Sequence, residues 1–391
     1  MTQTEQRARP RVRGGFLAVV LVAIVLLFGV PFWALVTPWP APVVVAGTVL
    51  VAVAAVAFPF LMFVGHGRGR DWAARAGDTL LGVVWVLFAW SVLGLVLRLA
   101  LAVFGVDGAR LVAVLVLAVA ALLVAWGVRE AMRVPRVRRT DVVLPRLAPG
   151  LDGTTVVVLA DTHFGPINRT RWSTRTAEAV NALRPDIVCH AGDIADGSVD
   201  ARRTQAAPLG VIEAALARVY VTGNHEYFGE AQEWLDHMAA LGWESLHNRH
   251  VVVSRGGADL VLAGIDDATA KSSGLAGHGA QLDVALAGAP ADAPVLLVAH
   301  QPRQVAQAAA AGVDLQVSGH THGGQIWPFH YLVRVDQPTV QGLTRHGPTQ
   351  LYTTRGAGFW GPPLRVFAPS EITLLTLRSG VSEPQGGGAG Q

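Results

Sequence analysis

The sequence is short of cysteine and of charged residues. Its single cysteine, Cys189, cannot form an internal disulfide, which fits a reducing compartment. The lack of cysteine clusters argues against a structural zinc cage. Charged residues make up 15% of the 391 positions and hydrophobic residues 51%, whereas charged residues are about 25% of an average soluble domain. This composition predicts that part of the chain lies in a membrane.

Charge is scarcest in four apolar runs in the first third of the chain. Each run is about as long as the roughly 20 residues that a helix needs to cross a bilayer. We therefore predict a four-helix transmembrane region within residues 1–131, with spans at about 15–36, 43–64, 79–104 and 111–128. Buried helices of a soluble core rarely run so long without charge. A cleaved signal peptide is disfavoured because the first run exceeds the usual length of about 7–15 residues and no clear cleavage site follows.

Arginines border these runs mainly on one side. Only Arg110 lies in the two opposite connections, whereas twelve arginines precede the first run, separate the second from the third, or follow the fourth: Arg7, Arg9, Arg11, Arg13, Arg68, Arg70, Arg75, Arg129, Arg133, Arg136, Arg138 and Arg139. By the positive-inside rule, both ends of the chain face the cytoplasm. We predict a multi-pass protein of the cell membrane whose soluble part lies on the cytoplasmic side.

The net charge of +3 hides two parts of opposite sign. Residues 1–150 carry 15 basic and 6 acidic side chains, and the remainder carries 16 and 22. This split favours a basic collar at a membrane and an acidic soluble domain, and it argues against nucleic acid as a partner. Residues 132–150, rich in proline and arginine, are predicted to be a basic linker. Residues 379–391 are predicted to be a disordered tail by composition.

Residues 151–378 alternate short β-branched runs with alanine-rich segments, a pattern typical of a layered α/β domain. Strands are predicted at 154–160, 186–192, 217–223, 259–265, 294–300 and 313–319, with two more at 350–356 and 371–377. Helices are predicted at 173–183 and 303–311. The fold class is therefore an N-terminal four-helix transmembrane bundle followed by an α/β domain.

Polar side chains follow five of the predicted strands at their carboxyl ends. They are Asp161, His163, Asp193, Asn224, His225, His300, His320 and His322. Ligands of α/β sheets bind outside the carboxyl ends of strands, and residues i and i+2 of an extended segment point the same way. Carboxylate and imidazole ligands suit manganese, iron or zinc. Each residue alone could be structural, but together they predict two divalent metal ions that share a carboxylate and activate water for attack on phosphorus.

The series "DTH", "GD", "GNHE", a lone histidine and "GHTH" resembles the calcineurin-like metallophosphoesterases in motif order, over about residues 154–377. The segments "LQVSGHTHGGQIWPF" and "RGAGFWGPPLRVFAPSEITLLTL" resemble more narrowly the membrane-anchored bacterial phosphodiesterase branch, which is related to the enzymes that cleave UDP-diacylglucosamine. The resemblance implies a two-sheet α/β sandwich for residues 151–378.

The resemblance also implies a role for each motif residue. Asp161, His163 and His322 would hold one metal ion, whereas Asn224, His300 and His320 would hold the other. Asp193 would bridge the two ions, and His225 would protonate the leaving oxygen. The segment "GDIADGSVD" lacks the phosphate-binding arginine of protein phosphatases and the tyrosine ligand of purple acid phosphatases. Neither of those subfamilies fits.

The predicted function is an integral membrane dimetal phosphoesterase that cleaves phosphodiester or pyrophosphate bonds, with lipid-linked substrates and membrane lipids as partners. One alternative is a catalytically silent metal-binding sensor or scaffold, disfavoured because the ligand set is complete. A transporter is a second alternative, disfavoured because the apolar runs lack paired charges. The remaining histidines, including His247 and His278, are predicted to be solvated or locally hydrogen-bonded, and Asp266 is not predicted to bind metal.

Overall fold

The computed structural model describes residues 14–380. The arginines from Arg7 to Arg13 and the predicted tail beyond Gly380 lie outside the described residues. Within the described range, an N-terminal helical bundle precedes two mixed sheets flanked by short helices. This arrangement confirms the predicted fold class.

The bundle consists of four helices long and apolar enough to cross a membrane. They are α1 (Gly14–Leu35), α2 (Ala41–Met62), α3 (Asp71–Val103) and α4 (Ala109–Met132). The third helix begins at Asp71, before the predicted span. Its first turns carry charged residues that contact the soluble domain, so a search for apolar runs does not detect them. Its 33 residues span about 50 Å at 1.5 Å per residue, which exceeds the roughly 30 Å hydrocarbon core.

The soluble domain contains two six-stranded sheets with the orders β1-β12-β2-β3-β4-β5 and β10-β11-β9-β8-β7-β6. The strands are β1 (Arg136–Leu144), β2 (Thr155–Leu159), β3 (Ile187–Ala191), β4 (Ala217–Val221), β5 (Glu244–Ser245), β6 (Arg249–Arg255), β7 (Ala258–Gly264), β8 (Val295–Val298), β9 (Leu315–Ser318), β10 (Gly342–His346), β11 (Thr349–Thr353) and β12 (Glu371–Ser379). The helices are α5 (Thr170–Asn181), α6 (Val199–Ala206), α7 (Asn224–Tyr227), α8 (Ala231–Ala240), α9 (Ala270–Ser273), α10 (Leu282–Leu286), α11 (Val305–Ala310) and α12 (His330–Asp336).

The main core lies between the two sheets. Val156 and Val158 of β2 pack in one cluster with residues of the second sheet such as Leu262 and Val317. The alternate residues Val157 and Leu159 instead pack against the outer helices. This two-residue alternation is that of a strand covered on both faces, and it explains why the central strands are continuous apolar runs.

The segment predicted to be a linker is partly a strand. Residues 136–144 form β1, which pairs in parallel with β12 along its whole length, and Ser379 is the last residue of β12. The first four residues of β1 have exposed side chains, so backbone hydrogen bonds stabilise this strand more than side-chain burial does. Exposed arginines are a common feature of edge strands, and here they gave the segment the composition of a linker.

The bundle packs directly against the soluble domain. Asp71 of α3 forms two hydrogen bonds, of 2.6 and 2.9 Å, with the guanidinium of Arg202. Nearer the membrane, the indole N–H of Trp85 donates to the carbonyl of Ile326 at 3.3 Å, and Trp90 lies 5.9 Å from Trp327 between ring centroids. The loop that follows β9 therefore lies against α3.

Candidate active site

The polar residues predicted from the strand ends converge at one edge of the sandwich. Asp161 and His163 follow β2, Asp193 follows β3, and Asn224 and His225 begin α7 after β4. From the second sheet, His300 follows β8, and His320 and His322 follow β9. Both sheets thus direct their carboxyl ends to the same place. All eight predicted residues are brought together, and none lies elsewhere.

The first group consists of Asp161, His163 and His322, whose ligand atoms lie within 4.8 Å of one another. Nε2 of His163 is 3.1 Å from Nε2 of His322, and Nε2 of His322 is 3.8 Å from Oδ1 of Asp161. All three residues are buried. Two ring nitrogens and a carboxylate oxygen facing one point form a donor set that suits a divalent transition metal.

The second group consists of Asn224, His300 and His320. The amide oxygen of Asn224 is 3.1 Å from Nε2 of His300 and 2.9 Å from Nδ1 of His320. Nδ1 of His300 donates to the carbonyl of Ala191 at 2.7 Å, which orients Nε2 towards the site. A backbone acceptor on the other ring nitrogen is the usual arrangement of a metal-binding histidine.

Asp193 lies between the two groups. Its Oδ2 is 3.6 Å from Nε2 of His163 and 3.1 Å from Nε2 of His300. Its Oδ1 accepts a 2.9 Å hydrogen bond from the backbone N–H of His225. This position between the two histidines is the one that a bridging carboxylate requires, although metal binding by these seven residues stays a prediction.

His320 is held in the protonation state that metal binding needs, because a ligand must present a lone pair. Burial and the neighbouring charge of His300 lower the pKa of His320 to about 3, so its imidazole is neutral near pH 7. Burial would raise the pKa of Asp193, but the imidazoles of His300, His225 and His163 together outweigh this effect and lower the pKa well below its usual value. Burial would lower the pKa of His300, but the carboxylate of Asp193 outweighs this effect and raises the pKa well above its usual value, so that binding an ion at His300 would release a proton.

The backbone of the site is strained. Asp161, His163, Asp193, His320 and His322 all have φ between 41° and 70°, the left-handed region that non-glycine residues rarely adopt. Such strain persists only where surrounding contacts enforce it, and it concentrates at functional sites. The five residues turn sharply out of their strands, so that their side chains converge.

Asp196 is a site residue that the sequence did not reveal. Its Oδ1 accepts hydrogen bonds from Nδ1 of His163 at 2.9 Å and from Nδ1 of His225 at 2.7 Å. Burial would raise the pKa of Asp196, but these two imidazoles outweigh it and lower the pKa, so the carboxylate is ionised. One carboxylate thereby orients both a predicted ligand and the predicted general acid.

Two further residues support the loops of the site. The carboxylate of Glu226 accepts hydrogen bonds from the backbone N–H groups of Gly223, Asp193 and Ile194 at 2.6 to 3.0 Å. The buried guanidinium of Arg365 donates to the carbonyl of His322 at 3.0 Å. The "GNHE" motif contains Glu226 and could have identified it. Arg365 lies 43 residues after His322, in the segment "RGAGFWGPPLRVFAPSEITLLTL", whose resemblance to the phosphodiesterase branch gave this arginine no role.

His247 and His278 are hydrogen-bonded, as the prediction allowed, but the sequence did not indicate that they are neighbours. The structure places both beside Asp266, with ligand atoms of the three within 4.8 Å of one another. The three residues lie in separate loops, and His247 and His278 are 31 positions apart in the sequence. No local pattern could have paired them.

A sequence profile described as "Calcineurin-like phosphoesterase" matches residues 154–324. A "Transmembrane protein with metallophosphoesterase domain" from Danio rerio is 36% identical over 273 residues, which are 68% of this chain and 62% of that protein. An "Uncharacterized metallophosphoesterase" from Aquifex aeolicus is 30% identical over 58% of this chain and 86% of its own length. A solved dimetal phosphatase from Danio rerio covers 53% of this chain and 88% of its own, with 14% identity and a TM-score of 0.36.

The chain spans only part of the first curated relatives that it matches. It covers 62% of the Danio rerio transmembrane protein and 59% of a protein of the same name from Bos taurus. The relative from Aquifex aeolicus is covered over most of its length.

The position of Asp193 predicts how metal content responds to substitution. Asp193→Asn should lose both ions of the pair, because the amide can no longer bridge two cations. His322→Ala and His320→Ala should each lose about one ion. Mass spectrometry of metals in the purified full chain measures these losses. His346→Ala, on β10 and away from the site, is the matched control, and an undiminished metal content in Asp193→Asn would contradict the assignment.

Proposed function

Because the chain belongs to the calcineurin-like phosphoesterase family, we propose that it is a membrane-embedded dimetal enzyme that hydrolyses phosphodiester or pyrophosphate bonds. The observation that carries this proposal is the convergence of six predicted ligands around Asp193, the seventh. Two divalent ions held there would neutralise charge on the phosphate and make the attacking water more acidic. A complete ligand set argues against a catalytically silent sensor.

His225 is placed to act as the general acid. Asp196 accepts a hydrogen bond from its Nδ1, which leaves Nε2 as the ring nitrogen available to a leaving oxygen. The imidazole lies beside two exposed aromatic rings. The centroid distances are 5.1 Å to Phe228 and 5.7 Å to Trp360. Such rings would lie against the leaving group and limit the access of water to it.

A cleft of about 460 Å³ opens over the site. Asp193, His225 and His322 lie among its polar residues, and its apolar lining includes Trp85 of α3 and Phe329 before α12. A membrane helix is therefore one wall of the cleft. A lipid-linked phosphoester fits this layout, because its phosphate would bind the polar residues while its acyl chain follows the apolar wall into the bilayer.

The surface beside the cleft is suited to a membrane interface. On α12, Tyr331, Leu332 and Val335 have exposed side chains, as expected of a short helix whose apolar face enters the headgroup layer. The five arginines from Arg129 to Arg139 lie where the chain leaves α4. Near an anionic leaflet, each would contribute about 1 kcal/mol of attraction.

The orientation of the bundle supports a cytoplasmic catalytic domain. The side chain of Arg110 donates to the carbonyl of Pro38 at 2.9 Å, so the two arginine-poor connections lie together at one end. At the other end, Arg75 donates to the carbonyl of Pro166 in the soluble domain. The arginine-rich end and the soluble domain therefore share a side, which the positive-inside rule assigns to the cytoplasm.

The role of His225 predicts a dependence on the leaving group. With manganese present, His225→Ala should lose about 10²–10⁴-fold in kcat on an alkyl phosphodiester, because a poor leaving group needs protonation. The loss on a nitrophenyl diester should be smaller. Equal losses would contradict the general-acid role, and absence of chelator-sensitive turnover by the wild-type protein on either ester would contradict the phosphoesterase proposal.

The apolar wall predicts a preference for lipid-linked substrates. A lipid phosphodiester in mixed micelles should be hydrolysed faster than its soluble headgroup analogue. Trp85→Ala should raise KM for the lipid about 10-fold, which corresponds to about 1.4 kcal/mol, and leave KM for the analogue unchanged. Trp33→Ala, exposed on α1, is the control. Equal turnover of both substrates by the wild-type protein would contradict the preference.

The proposed topology can be tested by thiol labelling in intact cells. The native Cys189 is buried and should not react. Asp200→Cys on α6 should be protected from a membrane-impermeant reagent, whereas Asp107→Cys, in the connection between α3 and α4, should be labelled. Both positions are exposed. Labelling of Asp200→Cys in cells with intact membranes would place the catalytic domain outside.

A further inference from the structure

A second cluster of metal-binding side chains lies away from the dimetal site. It comprises His247 between β5 and β6, Asp266 just after β7, and His278 between α9 and α10. Nδ1 of His247 is 2.6 Å from Oδ1 of Asp266, and Nδ1 of His278 is 3.8 Å from its Oδ2. The two imidazole rings are 4.5 Å apart between centroids. Three separate loops thus direct two ring nitrogens towards one buried carboxylate.

The carboxylate of Asp266 is held in place by neighbouring donors. Its Oδ2 accepts hydrogen bonds from the backbone N–H of Gly279 at 2.8 Å and from the side-chain amide of Asn248 at 3.2 Å. These bonds leave Oδ1 directed at His247. Carboxylates that bind metals in proteins are commonly supported by such hydrogen bonds.

His278 has a lone pair on Nδ1, the ring nitrogen near Asp266, where it accepts a hydrogen bond from the hydroxyl of Tyr227 at 3.0 Å. Its Nε2 is 3.2 Å from the side-chain oxygen of Gln232, which can only accept, so Nε2 carries the proton and Nδ1 carries the lone pair. Burial lowers the pKa of His278, which keeps this neutral form at pH 7. A histidine that donates one ring N–H to an oxygen and has a lone pair on the other nitrogen has the arrangement of a metal ligand, and an ion bound at Nδ1 would replace the hydrogen bond from Tyr227.

We propose that His247, Asp266 and His278 bind a third divalent transition-metal ion, of the zinc class, separate from the dimetal pair. Two imidazoles and one carboxylate are a common three-residue ligand set for zinc, with water as the fourth ligand. The ion would replace the proton that now lies between His247 and Asp266.

The third ion would stabilise the loop that bears His278. This segment, residues 274–281, contains Gly274, Gly277 and Gly279, all with positive φ and with open space around the position of a Cβ atom. Few side chains therefore order it. The loop also contacts α7, since the hydroxyl of Tyr227 is 3.0 Å from Nδ1 of His278. Tyr227 belongs to the same four-residue helix as Asn224 and His225.

Metal content of the purified full chain, exposed to zinc and then exchanged into metal-free buffer, tests the proposal. The wild-type protein should hold one ion more than His247→Ala and one more than His278→Ala. His250→Ala is the matched control, because His250 lies on β6 and bonds the carbonyl of Ala285; it should equal the wild type. Equal metal content in the wild-type protein and both variants would overturn the proposal.

A second measurement distinguishes binding of the third ion from binding of the dimetal pair. In an Asp193→Asn background, added zinc should raise the melting temperature, and cobalt should give the visible absorption of a four-coordinate ion. Both signals should be absent when His278→Gln is added, a substitution that retains a hydrogen-bonding side chain. Signals that survive His278→Gln would overturn the third site without affecting the proposed phosphoesterase activity.

Discussion

The buried carboxylate of Asp193 is the group on which the rest of the site depends. A buried anion is costly unless positive or hydrogen-bonding groups surround it, and here His163, His300 and the backbone N–H of His225 do so. These partners come from the ends of strands in both sheets. Their convergence requires the sheets to pack with their carboxyl ends at one edge, and it requires the sharp, positive-φ turns that follow the strands. The strained backbone is therefore a consequence of bringing several ligand loops to one carboxylate.

Contacts between the helical bundle and the catalytic domain also shape the site. The first turns of α3 contact the domain through Asp71 and Arg75, and Trp85 then lines the cleft over the site. A helix that served only as an anchor would not need to contribute a wall to the cleft. The long third helix thus connects two environments, since one part packs on polar loops and the remainder is apolar enough to lie in a bilayer.

The sequence was sufficient for features that depend on local pattern. The central strands β2, β3, β4, β8 and β9 are apolar because they are buried on both faces, and the polar residues that follow them mark the site. The edge strand β1 was missed because its exposed arginines resemble a linker and backbone pairing with β12 stabilises it. Asp196 was missed because its importance comes from two contacts with distant histidines. The cluster around Asp266 was missed because its members are far apart in sequence. In each case the missing information was a long-range contact.

The helix α7 shows how such contacts combine. A four-residue helix has too few hydrogen bonds to be stable alone, so its side-chain partners must define its position. Its four side chains have different partners. Asn224 contacts His300 and His320, and His225 contacts Asp196. Glu226 binds backbone N–H groups of the loop after β3, and Tyr227 contacts His278. A single turn thereby joins the predicted metal pair, the predicted general acid and the second histidine cluster.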